Sequence, residues 1–411
     1  MSRLLPAPRP GPQGQLLLGP EPILAHCNFY NYWLQKTVLL VEGLGMEDVI
    51  RDAAAGLAHA YVTGAAATLG VETPAERARV AEDFFANQGF GTLRLGDVTP
   101  DGGAATTPSS HYGQLFQSIA QVERFEAPQN LFDQGFIAGA ASAVHGLEPG
   151  AFELDGVRCH SVGDAIGEVR LKRASEPRAP FPAPGPGPGG AVAAPAASEF
   201  STLDEPAILE ALAGLDFSGN EEGFIPRFGL MLTFHWANFY NRVSFEFHRR
   251  MKDTGFIEEA ETLLTDAGHQ CAFNTFGGIM TSAEWDAVIR PQIKNRTDEV
   301  HGMMAVVNAL GWGVYRAVEV SSNRCVVQIW DDYESRGHRA MYGDADRPIN
   351  FLAMGAVVGT MNLIEVGDIA SKPDRSGDFY ARVFNSEQSF KGRITKSSAM
   401  GDPVTEIVAE R

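Results

Sequence analysis

Histidine, asparagine and tyrosine recur together in two similar segments of the sequence. One segment reads HCNFYNYW from His26, and the other reads HWANFYNR from His235. Imidazole nitrogens can ligate metal ions or transfer protons. Asparagine and tyrosine can supply the few polar contacts of an otherwise apolar ligand pocket. The repeated tetrapeptide Asn-Phe-Tyr-Asn therefore marks two candidate sites.

Two interpretations of the tetrapeptide follow from helical spacing. Its two asparagines are three positions apart, so on a helix they share one face while the aromatic residues point elsewhere. Either the asparagines cap or bridge helices and the aromatics fill the core, or the polar groups orient a ligand. On the second interpretation the ligand-binding residues are Asn28, Tyr30, Asn31, Asn238, Tyr240 and Asn241.

His59 and His269 occupy equivalent positions in the two halves, each in a helix among small residues. Such a histidine either donates to a backbone carbonyl in the core or acts as a ligand or acid/base group. We include both residues among the candidate ligand-binding groups.

A metal or haem site is the alternative to simple ligand binding. Its candidate ligands are His26, His59, His235 and His269, with iron, zinc or haem as the cofactor. His111 or His160 could join the first group. Glu246 is a poor addition to the second group, because eleven helical residues separate it from His235 by about 16 Å.

The two halves of the chain align over most of their length, which indicates an internal duplication. A shift of 210 residues places Asn28 on Asn238, Gly45 on Gly255 and His59 on His269. Further along, GFGTLRL from Gly89 matches GWGVYRA from Gly311. The pair Gly135 and Gly139 matches Gly355 and Gly359, a spacing typical of close helix packing.

Each half is predicted to contain helices followed by strands. Apolar residues at three- and four-residue steps predict helices over 23–42, 47–69, 73–89, 130–145 and 349–363. Alternating or β-branched residues predict strands over 91–98, 151–161, 165–173, 313–320, 324–332, 378–385 and 389–397. The predicted class is α+β, with two homologous domains whose N-terminal helices pack on an antiparallel sheet.

Segments rich in proline, glycine and alanine set the predicted domain boundaries, since they lack the large apolar side chains that offset ordering entropy. We predict a disordered tail over 1–22, a first domain over 23–174, a linker over 175–200 and a second domain over 201–411.

Composition limits the partners. Thirty-three basic and fifty-one acidic residues give a formal charge of −18, which disfavours nucleic acids and anionic membranes as partners. The four cysteines are widely spaced, and no apolar run is long enough for a signal peptide or a membrane span. The sequence predicts a soluble cytoplasmic protein.

The segment from Asn130 to Leu171 resembles the C-terminal half of the 4-vinyl reductase domain family, in which a glycine-bearing helix precedes a hairpin with a cysteine and a glycine. The matching residues are Gly135, Gly139, Gly146, Glu148, Cys159, Gly163 and Gly167. The second half has the helix but no cysteine after it.

This resemblance implies an α/β sandwich related to haem-nitric-oxide-binding and vesicle-tethering folds. It also implies an apolar pocket for a hydrophobic small molecule, with Cys159 among the ligand-binding residues. Such domains commonly dimerise, so the two copies are expected to form an intramolecular pseudo-dimer, and the chain could also form a homo-oligomer. Neither half carries a glycine-rich dinucleotide fingerprint after a strand, which weakens the case for reductase chemistry.

The sequence thus favours a tandem binding protein for a hydrophobic small molecule, with the first half as the functional copy. The alternative is a metal- or haem-dependent biosynthetic oxidoreductase, and whether the chain is an enzyme stays open. A sensor subunit that acts through a separate output protein is a third hypothesis.

Overall fold

A computed structural model of the chain describes residues 9–10, 15–19, 21–190 and 192–411. The first half contains β1 (Arg9–Pro10), β2 (Leu16–Leu18), β3 (Glu21–Cys27), α1 (Asn28–Leu39), α2 (Met46–Leu69), α3 (Pro74–Asn87), β4 (Gly91–Arg94), β5 (Gly102–Ser110), α4 (His111–Ala120), α5 (Leu131–Val144), β6 (Phe152–Arg158) and β7 (Gly167–Arg173).

The second half contains α6 (Glu205–Ala213), β8 (Ile225–Arg227), β9 (Leu230–Trp236), α7 (Ala237–Thr254), α8 (Ile257–Cys271), α9 (Gly277–Thr281), α10 (Ala283–Val288), α11 (Arg296–Ala309), β10 (Val314–Val320), β11 (Arg324–Trp330), α12 (Tyr333–Tyr342), α13 (Phe351–Met361), α14 (Gly377–Phe384), β12 (Lys391–Lys396) and β13 (Thr405–Glu410). Two π-helical turns, Ala272–Phe276 and Asn362–Val366, continue α8 and α13. No helix among the described residues is long and apolar enough to cross a membrane.

The two halves share one topology, and the predicted α+β class is confirmed. One antiparallel sheet has the order β4-β5-β7-β6, and the other has the order β10-β11-β13-β12. In each half a hairpin, β2–β3 or β8–β9, and three helices precede the sheet, and two further helices lie between its second and third strands in the chain. The first half adds β1 to this common plan, and the second half adds α6, α9, α10 and α14.

A third sheet joins the halves, with the order β1-β2-β3-β9-β8. β3 pairs antiparallel with β9, so a strand of one half is bonded to the corresponding strand of the other. Each of these strands also reaches the opposite half. Ala25 N donates to Leu310 O at 2.9 Å, and Phe234 N donates to Gln88 O at 2.9 Å. The halves therefore form a pseudo-dimer with exchanged strands.

Glycine is required where each exchanged strand crosses the other half. Gly89 has φ +88°, and a Cβ there would lie 2.3 Å from Leu232 O of β9. Gly311 has φ +87°, and its Cβ would lie 2.9 Å from Ile23 O of β3. A side chain would be strained by the left-handed backbone and would strike the strand. This contact explains the first glycine of each repeated Gly-aromatic-Gly motif.

The central strands correct one prediction. Residues 23–27 were expected to begin a helix that extends to residue 42, but Glu21–Cys27 is a strand and α1 runs only from Asn28 to Leu39. All seven residues of β3 are buried. A strand covered on both faces reads as a continuous apolar run, which periodicity cannot distinguish from a buried helix.

A second correction concerns residues 378–385, which were predicted to form a strand and instead form most of α14. The Ser376 side chain accepts from Phe379 N at the start of this helix. Phe379 and Val383 are buried at a helical spacing of four residues.

The proline-rich segments are partly ordered. Leu16–Leu18, inside the predicted disordered tail, pairs with β3, whereas residues 1–8, 11–14 and 20 of that tail lie outside the described residues. The linker is described apart from residue 191, and its described part forms no helix or strand. Asp52, Asn238 and Arg316 all bond it: Asp52 pairs with Arg178, Asn238 donates to Gly185 O, and Arg316 donates to Pro195 O. The domain boundaries stay a prediction.

Gly139 should tolerate no side chain, because α5 lies directly against α2. A Cβ at Gly139 would lie 2.0 Å from Ala55 O. We expect Gly139→Ala to lower the free energy of unfolding by about 1–3 kcal/mol, measured by urea denaturation. The matched control is Gly64→Ala in α2, where nothing lies within 4 Å. That change should stabilise by roughly 0.5–1 kcal/mol. Equal effects of the two substitutions would contradict this account of the helix contact.

Candidate functional site

The β3–β9 pair places two histidines on one face of the shared sheet. His26 lies opposite Thr233, and His235 lies opposite Leu24. Directly opposed residues of antiparallel strands project to the same face, and so do residues two positions apart on one strand. Both imidazoles therefore point to the same side of the sheet, and both are fully buried.

Tyr240 lies between the two imidazoles. Its ring centroid is 4.7 Å from that of His26 and 4.7 Å from that of His235. Its hydroxyl donates to Asn31 Oδ1 at 2.7 Å. The tyrosine of the second tetrapeptide thus bonds an asparagine of the first, which links the two halves directly.

Asn31 extends this contact into a hydrogen-bond network. Its Nδ2 donates to Thr233 Oγ1 at 3.1 Å and lies 3.0 Å from His111 Nε2. Because an amide N–H is a donor, His111 Nε2 must be the unprotonated acceptor. We call these six residues the central cluster: His26, Asn31, His111, Thr233, His235 and Tyr240.

The imidazoles of the central cluster are held neutral. Burial lowers the pKa of His26 and His235 well below the usual value, and each is lowered further by a neighbouring histidine. Burial lowers the pKa of His111 to about 3. Neutral imidazoles can each donate one hydrogen bond and accept another.

Several of these ring nitrogens have no protein partner. His26 Nε2 and both ring nitrogens of His235 lack a hydrogen-bond partner among the described residues. The second ring nitrogen of His26, Nδ1, lies 3.9 Å from Cys271 Sγ, which is a weak contact. Buried polar groups without partners are rare in folded proteins, and such groups mark functional sites or bound water and ligands.

Aromatic rings form the walls around both histidines. Phe132, Phe239 and Phe90 lie 4.5, 4.3 and 4.9 Å from the His235 ring, between ring centroids. Tyr30 and Trp312 lie 3.9 and 4.4 Å from the His26 ring. His235 thus contacts Phe90 and Phe132 of the first half, whereas His26 contacts Trp312 of the second half.

Buried thiols line the His26 side. Thr275 Oγ1 is 2.8 Å from Cys27 Sγ and 3.5 Å from Cys271 Sγ. Burial raises the pKa of both cysteines, so both stay protonated thiols rather than nucleophilic thiolates.

Asp133 is a buried carboxyl group next to Phe132 in the wall. Its Oδ2 accepts from Ser110 Oγ at 2.5 Å, and its Oδ1 has no partner in the described part of the chain. Burial raises the pKa of Asp133 to about 7. Tyr112 interacts electrostatically with Asp133, and its hydroxyl likewise has no partner within the described ranges.

The structure brings together only some of the residues that the sequence singled out. His26, Tyr30, Asn31, His235 and Tyr240 meet at the centre. The other asparagines bond groups outside the central cluster. Asn28 Oδ1 accepts from Met231 N, and Asn241 donates to Tyr333 O. Asn238 donates to the Glu21 side chain and to Gly185 O of the linker.

The paired helical histidines lie elsewhere. His59 Nε2 is 2.9 Å from Leu147 O, and His269 Nδ1 is 3.5 Å from Asp266 Oδ1. Both side chains are half-buried. Neither contacts the central cluster through a described hydrogen bond or ring contact, so His59 does not join His26, and His269 does not join His235, in the two ligand groups that the sequence suggested.

No group of three or more His, Cys, Asp and Glu side chains is arranged to hold a metal ion in residues 9–10, 15–19, 21–190 and 192–411. The residues therefore do not fit the iron or zinc site that histidine spacing suggested.

Cys159 and His160 also differ from expectation. They were expected to alternate along one strand, but His160 begins a 3₁₀ turn directly after Cys159. Both residues are buried, and Cys159 Sγ lies 3.0 Å from Ser161 Oγ.

Thr233 and Asp133 were missed by sequence reasoning, whereas His111 was considered only as an additional metal ligand. The second half has Tyr333 at the position of His111, and Thr233 joins the cluster only through the register of β9 against β3. Asp133 carries the one available signal, a charged residue within the apolar helix that bears Gly135.

Comparisons with known proteins leave the chain without a family. No protein-family model matches it, and no curated protein matches it. A solved structure with some likeness is the crystal structure of the phenol-responsive sensory domain of the transcription activator PoxR with phenol. It is 14% identical with a TM-score of 0.36, covering 51% of this chain and 91% of that chain. Such a likeness assigns neither a fold nor a function here.

Loss of the Tyr240 hydroxyl should destabilise the protein. Tyr240→Phe leaves Asn31 Oδ1 buried without a donor, at a cost of roughly 1–3 kcal/mol in the free energy of unfolding. The control is Tyr61→Phe, because the buried Tyr61 hydroxyl has no partner in the described ranges, and its removal should be neutral or stabilising. Urea denaturation of both variants measures the difference, and a larger loss in Tyr61→Phe would refute the network.

Asp133 should make the protein less stable at alkaline pH. Burial raises its pKa in the folded protein to about 7, above the ordinary value of 3.8. This group's contribution is therefore complete below about pH 4 and is lost as the pH rises through 7. Between pH 5 and pH 8 the wild-type free energy of unfolding should fall by on the order of 2–3 kcal/mol more than that of Asp133→Asn. Parallel curves in urea denaturation at the two pH values would exclude this assignment.

Proposed function

We propose that the protein binds a hydrophobic small molecule at the central cluster. The observation that carries the proposal is the set of buried ring nitrogens on His26 and His235 that lack a hydrogen-bond partner in the described part of the chain and are surrounded by aromatic side chains. Ligand pockets are typically apolar with a few convergent polar groups. The central cluster has this composition.

The energetics favour an apolar ligand with limited polarity. Each square ångström of apolar ligand surface removed from water contributes about 25 cal/mol. A ligand that also hydrogen-bonds a neutral imidazole relieves the cost of burying that nitrogen alone. A strongly charged ligand gains less, because the imidazoles carry no charge to pair with it.

Because the strands are exchanged, both halves contribute residues to the proposed site. His235 comes from the second half but contacts Phe90 and Phe132 of the first. We propose that the two halves are 4-vinyl-reductase-like modules that need each other to complete their pockets, with the first half as the main binding copy. The repeated element order and the glycine-bearing helix support this interpretation.

Ligand extraction tests the function directly. Full-length protein purified under native conditions is extracted with organic solvent, and the extract is examined by mass spectrometry. We expect a hydrophobic compound in stoichiometric amount or, failing retention, saturable binding of toluene or benzyl alcohol detected by tryptophan fluorescence. Trp312 and Trp236 are suitable reporters because they lie beside His26 and His235. The proposal would be refuted if the protein retained no compound and showed no saturable binding of either probe.

His235→Phe separates binding from stability. The change removes two buried nitrogens without partners, so the free energy of unfolding should rise by roughly 1–3 kcal/mol, whereas the affinity for the extracted or probe ligand should fall. His59→Gln is the control and should leave binding unchanged, because His59 contacts Leu147 O. Metal analysis and an absorption spectrum of the same samples test the oxidoreductase alternative. A stoichiometric metal or visible band lost in His59→Gln would favour that alternative.

A further inference from the structure

The starts of α4 and α5 form a polar corner in the first half, which we call the first corner. Ser110 is the N-cap of α4, and its Oγ donates to Asp133 Oδ2. Asn130 is the N-cap of α5, one turn before Asp133. All three side chains are at most 1% exposed.

The second half builds the equivalent corner from α12 and α13. Asp332 is the N-cap of α12 and replaces Ser110, while Asn350 replaces Asn130. Asp332 Oδ1 accepts from Ser335 N at 2.7 Å and from Asn350 Nδ2 at 2.6 Å. Its Oδ2 accepts from two hydroxyls, Ser398 Oγ at 2.9 Å and Thr405 Oγ1 at 2.7 Å. Every acceptor site of this carboxylate is therefore used.

The hydroxyls that complete the second corner have no counterparts in the first. A shared turn fixes the alignment, because Asp164 accepts from Cys159 N at 2.8 Å and Asp402 accepts from Ser397 N at 2.8 Å. His160 then stands at the place of Ser398, and Gly167 at the place of Thr405. Neither His160 nor Gly167 supplies a hydroxyl donor.

Four buried polar atoms around the first corner have no hydrogen-bond partner within the described residues. They are Thr107 Oγ1, Tyr112 Oη, Asn130 Nδ2 and Asp133 Oδ1. All four side chains are at most 2% exposed. Thr107 lies against Gly167, where a Cβ would be 2.1 Å from Thr107 Oγ1, so its hydroxyl belongs to the same corner. Both donors and acceptors are thus available.

We propose that the first corner binds a hydroxyl group of the ligand, which donates to Asp133 as Ser398 and Thr405 donate to Asp332. This inference rests on the proposed function and specifies its ligand class: a hydrophobic molecule that carries an alcohol or phenol hydroxyl. Tyr112 and Asn130 are the groups that can bond the same hydroxyl oxygen or a neighbouring polar atom.

Phe132 connects the first corner to the central cluster. It precedes Asp133 on α5, and its ring centroid lies 5.1 Å from Tyr112 and 4.5 Å from His235. A ligand with its apolar body against Phe132 would therefore have Asp133 and Tyr112 on one side and His235 on another. A ligand carboxylate is disfavoured, because it would meet the Asp133 carboxyl in a buried setting.

The test compares benzyl alcohol with toluene, which differ by one hydroxyl. Both are titrated into the full-length protein at pH 8 and followed by tryptophan fluorescence. One net hydrogen bond to a charged acceptor predicts on the order of tenfold tighter binding of benzyl alcohol. Asp133→Leu should reduce this preference to within about twofold while toluene still binds.

Asp133→Asn is the conservative variant for the case in which the leucine variant does not fold. A neutral amide oxygen accepts more weakly than a carboxylate, so the preference should fall to about threefold. Equal binding of the two probes by the wild type, or an unchanged preference in a folded Asp133 variant, would overturn the hydroxyl inference and leave the proposed function intact. Failure of both probes to bind would count against the proposed function itself.

Discussion

The antiparallel pairing of β3 with β9 is the constraint on which the site depends. It brings together residues that are about two hundred positions apart, and its register decides that His26 and His235 share a face. Each strand also bonds the opposite half, and its rings pack there: Trp236 stacks on Phe84, and His26 contacts Trp312. Tyr240 and Asn31 then link the two tetrapeptides across this junction. The duplication thus yields one composite interior rather than two separate ones.

The interior carries more polarity than folding alone would favour. Buried imidazoles, a carboxyl group and hydroxyls without partners each cost free energy relative to apolar residues of similar shape. The second half shows that the same corner can be built without this cost, since Asp332 has four donors. The two halves therefore share a sheet topology but differ in how completely this corner is hydrogen-bonded among the described residues.

Much of the scaffold could be predicted from the sequence, because it depends on local patterns. The duplication, α2, α3 and the hairpin β6–β7 follow from spacing, capping residues and alternation. β3 and β9 could not be recognised as strands, since their buried runs carry no strand periodicity. Only part of the site could be predicted, because some of its residues meet through long-range packing. His26 and His235 were visible as a pair, but Thr233 and His111 join them through strand register and helix packing, which short-range patterns do not encode.

The exchanged strands also govern the order in which the chain can fold during synthesis. The backbone carbonyl of Gln88, which lies between α3 and β4, accepts from Phe234 N. Nearly 150 further residues must therefore be synthesised before that hydrogen bond can form. Contacts of such long range fold slowly. A nascent first half would emerge from the ribosome with one edge of β3 unpaired. The proline-rich linker is synthesised next, so β3 stays unpaired until β9 has also been synthesised. The first half can therefore complete its backbone hydrogen bonds only after β9 of the second half has been translated.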